Sequence, residues 1–469
     1  MKTFIYWLTT DLRHQNNEIL DWAIKTGTSL IPVFIIPTPD KSRPKVQHDV
    51  WRDHALQDFQ TSLLAQSKDV YVAKNVAQLA PVLATVDGIV YSRQVDITHA
   101  PDVKLVKDLC LTMDKEVKRI DTFYALDPTT IFTTHGKTFS VFTPYWTTVQ
   151  PVISAVQPVV YDPKKVSWTT VTPALLKTTG LTAFTLPVQP TWAKKVMSTW
   201  TATEDAALNT WHDFLSSHIA DYAIQRDLPA KHGTSKIAPY LHHGQISIRK
   251  MLGDIFSQKP AVVAACATYV KELAWREFAA YLLVHNPGIV TKSFQSRFDS
   301  IAWQFDPVLL KAWKTGNTGY PIVDAGMREL WATGWMHNRV RMVVASFLVK
   351  HLLHDWKVGE QWFADTLLEA DDASNSFGWQ WSAGCGADAA PYFRIFNPTL
   401  QAKRFDPAGD YIKKWVPELA KLPAPFIYEP SKASAASALA KAGIVLGKDY
   451  PLPIVDHTFA RTRALKELA

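Results

Sequence analysis

The chain has 469 residues, 47% of them hydrophobic and 20% charged, which excludes a disordered polypeptide and leaves room for two or three domains. Fifty Lys and Arg against 43 Asp and Glu give +7, a mild basicity that permits a nucleic-acid surface without requiring one. The three cysteines form no CxxC pair, which argues against a disulfide scaffold or a thiolate metal site and fits a reducing cytoplasm, while 18 tryptophans are a surplus in need of a reason.

Short apolar runs at 4–8, 30–36, 70–72 and 88–91 read as strands, with a last one at 118–120. Polar, helix-like stretches at 17–26, 50–66, 76–83 and 100–113 separate them. Such alternation predicts an α/β domain over 1–127, a doubly wound parallel sheet. The first seven residues form too short an apolar run for a signal peptide. Composition then turns to Thr and Pro, and 128–198 reads as a long interdomain connector over the surface, with weak periodicity. From 199 to 469 the period is helical, and an all-α domain is expected, with helices at 247–258, 261–285, 307–314, 323–333, 336–353 and 360–368. The apolar stretch 340–353 is interrupted by Arg341, Lys350 and His351, so it is a core helix and not a membrane span.

Four segments of the helical half carry chemistry. Thr234-Ser235-Lys236-Ile237 offers backbone N–H groups and hydroxyls at a helix start, as a phosphate cradle or an ordinary capped turn. Tyr269, Glu272 and Arg276 share a helix face beside Trp275. By spacing alone, a Glu272–Arg276 ion pair with Trp275 in the core is the better reading. Asn338, Arg341 and Met342 form a polar, basic and Met stripe on a helix otherwise built for burial. Glu369, Asp371 and Asn375 precede Trp379 and Trp381, giving a polar pocket with aromatic walls and an unnamed ligand. No His stands at ligand spacing there and the acids are too few, so no metal site is expected.

In this order, the four segments resemble the photolyase/cryptochrome family, most closely the bacterial DNA photolyases for cyclobutane pyrimidine dimers. Trp7, Asp11-Leu12-Arg13 and Asn17 resemble that family's opening, and the likeness covers nearly the whole chain. It implies one non-covalent FAD. Tyr222, Thr234, Ser235, Lys236 and Ile237 match the phosphate and ribose side, and Tyr269, Glu272, Asn338, Arg341, Glu369, Asp371 and Asn375 match positions around the rings. Asn375 stands where photolyases face flavin N5 with an amide and cryptochromes often carry Asp or Cys. Damaged DNA is the implied partner, its dimer flipped into a cavity of Glu272, Trp275, Asn338, Met342 and Trp381, with Glu272 hydrogen-bonding a thymine carbonyl. Arg226, Arg276, Arg339, Gln401, Lys403 and Arg404 match backbone contacts. Trp379, Trp356 and Trp303 match a three-Trp electron chain from flavin to surface.

The resemblance implies light-driven splitting of the dimer by a cytoplasmic, monomeric lyase with no membrane and no obligate protein partner. The alternatives are a cryptochrome-type photoreceptor without repair activity and a single-strand-specific enzyme like cryptochrome-DASH. Two departures stand out. Glu369 replaces the family's frequent Asp as partner of Arg341, and Thr98-His99 replaces the Asn-Glu of folate-binding relatives. A second, antenna chromophore is therefore of open identity: folate, deazaflavin, another flavin or none.

Overall fold

Strands β1 (Thr3–Leu8), β2 (Ser29–Ile35), β3 (Tyr71–Ala73), β4 (Gly88–Tyr91) and β5 (Glu116–Arg119) are parallel, in the order β5-β4-β1-β2-β3. This computed structural model describes residues 1–37, 45–93, 95 and 99–467. β1 and β2 are apolar almost throughout because helices cover both faces, so neither face needs polar residues. Helices α1 (Glu18–Thr26), α2 (Gln47–Leu64), α3 (Ala80–Leu83) and α4 (Ala100–Thr112) connect them. α1 begins where the Asn17 side chain accepts from the N–H groups of Ile19 and Leu20, and it ends at Gly27 in the left-handed region.

The Thr- and Pro-rich stretch departs from the weakly structured connector expected of it. Helix α5 (Phe142–Ala155) spans 14 residues, β6 (Ser167–Trp168) pairs with the start of β2, and β7 (Thr182–Ala183) runs antiparallel to β3. Strands of two residues leave no period to read.

The chain packs as two compact units. One comprises Met1–Ala220, Ser235–Pro287 and Asp371–Ala373; the other comprises Asp221–Thr234, Gly288–Ala370 and Ser374–Ala469. The helical half thus contributes to both. The first unit adds α6 (Ala238–His242), α7 (Ile248–Phe256) and α8 (Ala267–His285) to the sheet. The expected helix over 261–285 is divided at Cys266.

The second unit is built from α9 (Pro307–Lys314), α10 (Pro321–Thr333), α11 (Asn338–Ser346), α12 (Trp356–Thr366), α13 (Asp372–Ala383) and α14 (Pro398–Phe405), whose apolar faces share one core. The helix expected over 336–353 is not uniform. α11 widens into a π-helical turn at Phe347–His351, and Leu353 at φ +53° stops it. Within that turn Lys350 is 1% exposed, and its ammonium donates to the carbonyls of Ala383 (2.5 Å) and Tyr392 (3.2 Å). Among the described residues no helix is long and apolar enough to cross a membrane.

Candidate functional site

The carboxyl end of β1 is a polar knot. Buried Asp11 accepts from the Tyr6 hydroxyl (2.5 Å) and from the Thr9 N–H (3.2 Å). The Arg13 guanidinium donates to the carbonyls of Gly244 (3.0 Å) and Thr122 (2.9 Å). Gly244 sits at φ +70°, where a Cβ would fall 1.9 Å from the Thr10 carbonyl oxygen. The Asp-Leu-Arg opening therefore holds the sheet to the segment that carries the cradle.

In that segment Ser235 and Lys236 turn the chain into α6. Lys236 takes φ +51°, an uncommon conformation for a residue with a Cβ, and the Tyr269 hydroxyl on α8 donates to Ser235 Oγ at 3.0 Å. One turn along α8, Glu272 is half-buried, and Trp275 lies flat on Phe142 of α5, centroids 3.6 Å apart and planes 11° apart. Arg276 departs from the expected phosphate contact. Its guanidinium lies over the rings of Phe123 (4.2 Å) and Tyr124 (4.8 Å), donates to the Phe123 carbonyl and pairs with Glu277 at 3.4 Å. Asp371 also belongs to this unit, and its charge acts on buried His242.

The second unit carries the remaining residues. Arg341 pairs with Glu369 and donates through Nε to the Met336 carbonyl (2.7 Å). Asn375 on α13 donates through Nδ2 to the Glu360 carbonyl (2.9 Å), which leaves its amide oxygen as the acceptor it presents. Ser376 donates to the Glu360 carboxylate, so α12 sets the rotation of α13 at this point. Arg339 spends its guanidinium on Asp227 (2.7 and 3.2 Å) and on the Phe405 ring (4.4 Å). Arg226 lies over buried Tyr222, Thr234 is half-buried, and Asn338 is exposed. Met342, Trp381 and Gln401 are half-buried, while Lys403 and Arg404 lie exposed on α14. Burial holds His337 down to about 4, with the charges of Arg341, Arg339 and Arg226 adding to the effect and Asp227 opposing it.

The three tryptophans all lie in this unit. Trp379 is 2% exposed, and Gly359, three residues after Trp356 on α12, faces its indole. Residues three apart share a helix side. Three residues before Trp356, the Leu353 carbonyl accepts from the N–H of Gln304, the neighbour of half-buried Trp303. Trp379 Nε1 is buried with no hydrogen-bond partner among the described residues. Glu360 and Gly359 were missed by motif reading. Their signal was their position on the helix that begins at Trp356.

A family model described as DNA photolyase matches residues 4–164, and one described as the FAD binding domain of DNA photolyase matches 269–469. The deoxyribodipyrimidine photo-lyase of Agrobacterium fabrum is 40% identical, over 99% of this chain and 97% of its own. The chain belongs to the DNA photolyase family. A crystal structure of a bacterial class III photolyase from Agrobacterium tumefaciens superposes with a TM-score of 0.89 at 38% identity, covering 100% of this chain and 97% of that one. Cryptochrome-2 of Arabidopsis thaliana is 32% identical, over 100% of this chain and 79% of its own. FAD is the cofactor of the family's helical domain, and these residues suit it. The cradle has hydroxyls and a sharp turn for phosphates, Asn375 presents a neutral acceptor, and Arg341 carries its own counter-charge. Thr98, one of the two antenna positions, lies outside the described residues, and His99 stands at the N-terminus of α4.

Proposed function

We infer that this protein is a light-driven DNA-repair lyase that splits cyclobutane pyrimidine dimers. The observation that carries the reading is the full-length likeness to a deoxyribodipyrimidine photo-lyase. The amide at 375, with its NH2 already committed to Glu360, supports repair over signalling.

Bound FAD, reduced and excited by light, supplies the electron that opens the cyclobutane ring and takes it back, with no net redox change. The protein's own groups do the rest. Thr234, Ser235, Lys236 and Ile237 hold the phosphates, and Tyr269 fixes the Ser235 hydroxyl. The Asn375 oxygen accepts from an N–H of the ring without adding charge. Glu272 would hydrogen-bond a thymine carbonyl where negative charge develops. Trp275 and Trp381 each offer a ring on which a base can stack, worth about 1–3 kcal/mol per base. Lys403 and Arg404 meet phosphates, so affinity falls as salt rises. Trp379, Trp356 and Trp303 return the cofactor to its working state after oxidation by passing electrons inward from solvent. The protein acts as a cytoplasmic monomer on UV-damaged DNA.

The test is a thymine-dimer oligonucleotide incubated with the reduced protein, once in blue light and once in darkness. Light-dependent loss of the dimer is expected. Its absence from both single- and double-stranded substrate would leave the photoreceptor reading.

A further inference from the structure

His48, His242 and His243 lie in the first unit, and none of the steps above uses them. Each offers one ring nitrogen, and these nitrogens lie within 4.8 Å of one another. His48 stands in the first turn of α2, His242 ends α6 and His243 follows it, so no sequence spacing announced the cluster. The His48 ring lies along that of His243 (centroids 5.3 Å, planes 26° apart) and edge-on to that of His242 (5.5 Å), and Trp51 stacks beside His243 at 6.1 Å.

His242 is 5% exposed, and its Nδ1 bonds nothing among the described residues. Burying a ring nitrogen without a partner is costly. His242 thus has a buried ring nitrogen open to a metal ion. Next to the cluster along the chain, Gln47 Oε1 and Gln245 Nε2 are also buried and bond nothing among the described residues. Both suit a water held on a metal ion.

We propose that His48, His242 and His243 bind a divalent transition-metal ion, zinc being the type, through three imidazole nitrogens with a fourth position open to water. Imidazole donors select zinc, cobalt, nickel or copper over magnesium and calcium. Zn–N bonds of about 2.0–2.1 Å need the nitrogens drawn closer than they now lie. Half-buried His48, at a helix start, is the ligand placed to move. The ion then pins the start of α2 to the end of α6.

The experiment uses the untagged flavoprotein, treated with chelator and titrated in the dark with Co2+, then Zn2+. One Co2+ per chain is expected, with the absorption of tetrahedral cobalt, lost on adding zinc. His48→Ala is expected to weaken binding at least about 100-fold, whereas His54→Ala, on the same helix but outside the cluster, binds as the wild type does. His48→Cys, which returns a zinc ligand, recovers zinc binding. Circular dichroism and flavin content show that the variants are folded. No stoichiometric Co2+ in the wild type, or wild-type affinity in His48→Ala, overturns the proposal. Repair is not read, so the outcome is independent of the repair reading.

Discussion

Gly359→Ala sets helix propensity against packing. In the interior of α12, alanine is favoured over glycine by ~0.5–1 kcal/mol. A Cβ at 359, however, would lie 2.1, 2.4 and 2.6 Å from three carbons of the Trp379 indole. Carbon atoms need about 3.5–4.0 Å, so the ring must retreat by more than about 1 Å. Its retreat is limited, because Phe363 (5.0 Å) and Trp313 (6.1 Å) meet it edge-on. Overpacking a rigid core costs ~1–3 kcal/mol and outweighs the propensity gain, leaving a net loss of about 1–2 kcal/mol. The same displacement moves the proposed first electron donor, and a misplacement of about 1 Å can slow a reaction on the order of 10²-fold. Denaturant unfolding measures the first effect. Blue-light reduction of the oxidised flavoprotein with a thiol reductant, followed by absorbance, measures the second. A variant that is at least as stable as the wild type and photoreduces at its rate would refute both the contact and the donor role.

Gly244→Ala forces a Cβ toward the Thr10 carbonyl at a positive φ, and a loss of ~3 kcal/mol or more is expected, visible as a fall in soluble yield and in the unfolding midpoint. Lys350, lowered by burial to about 8 from an ordinary 10.5, gives stability a pH slope. Between those values the unfolded chain binds the extra proton, so wild-type stability should rise with pH by at most ~3 kcal/mol relative to Lys350→Met; a constant difference would sink the assignment. Trp303→Phe is expected to slow photoreduction in light while leaving repair by chemically reduced protein unchanged, and unaltered photoreduction kinetics would remove it from the chain.

Much of the fold was legible because strand–helix alternation and helical period repeat over many residues. The parallel sheet and the helical half follow from runs such as 4–8 and 323–333. β6 and β7 were not legible, since two residues carry no period and their pairing is decided by the edges of β2 and β3. The π-helical turn at Phe347–His351 was hidden for a different reason: its apolar residues continue the buried pattern of the helix before it, while Lys350 within it reaches two carbonyls distant in sequence. At the site, residue identities were readable from motifs, but their local partners were not. Arg276 and Arg339 were expected as phosphate contacts from the resemblance, and motif positions did not show that Phe123 and Asp227, distant in sequence, and Glu277, the next residue, meet their guanidinium groups.

The tryptophan surplus gains a criterion that burial alone does not supply. Trp51, Trp211, Trp313, Trp356 and Trp379 are all among the largest fully buried side chains, so depth does not separate packing from electron relay. Hydrogen bonding at Nε1 separates Trp379 from three of these, although Trp168 and Trp415 share its buried N–H without a partner among the described residues. Trp51 donates to Gln245 (2.7 Å), Trp211 to Asp254 (2.9 Å) and Trp313 to the Val344 carbonyl (3.0 Å), whereas Trp379 donates to none of the described residues. An acceptor on the indole N–H stabilises the positive charge left when that ring loses an electron and holds it there; where none does, the charge stays free to move on. Trp313 touches Trp379 edge-on and is as deeply buried, yet its bonded N–H marks it as structural. Trp313→Phe should therefore remove one bond to the Val344 carbonyl, which keeps that from the Phe347 N–H, cost ~0.5–1.5 kcal/mol in stability for the bond, and leave the photoreduction rate unchanged. A fall in that rate, with Trp379 undisturbed by fluorescence, would place Trp313 in the electron path and refute the criterion.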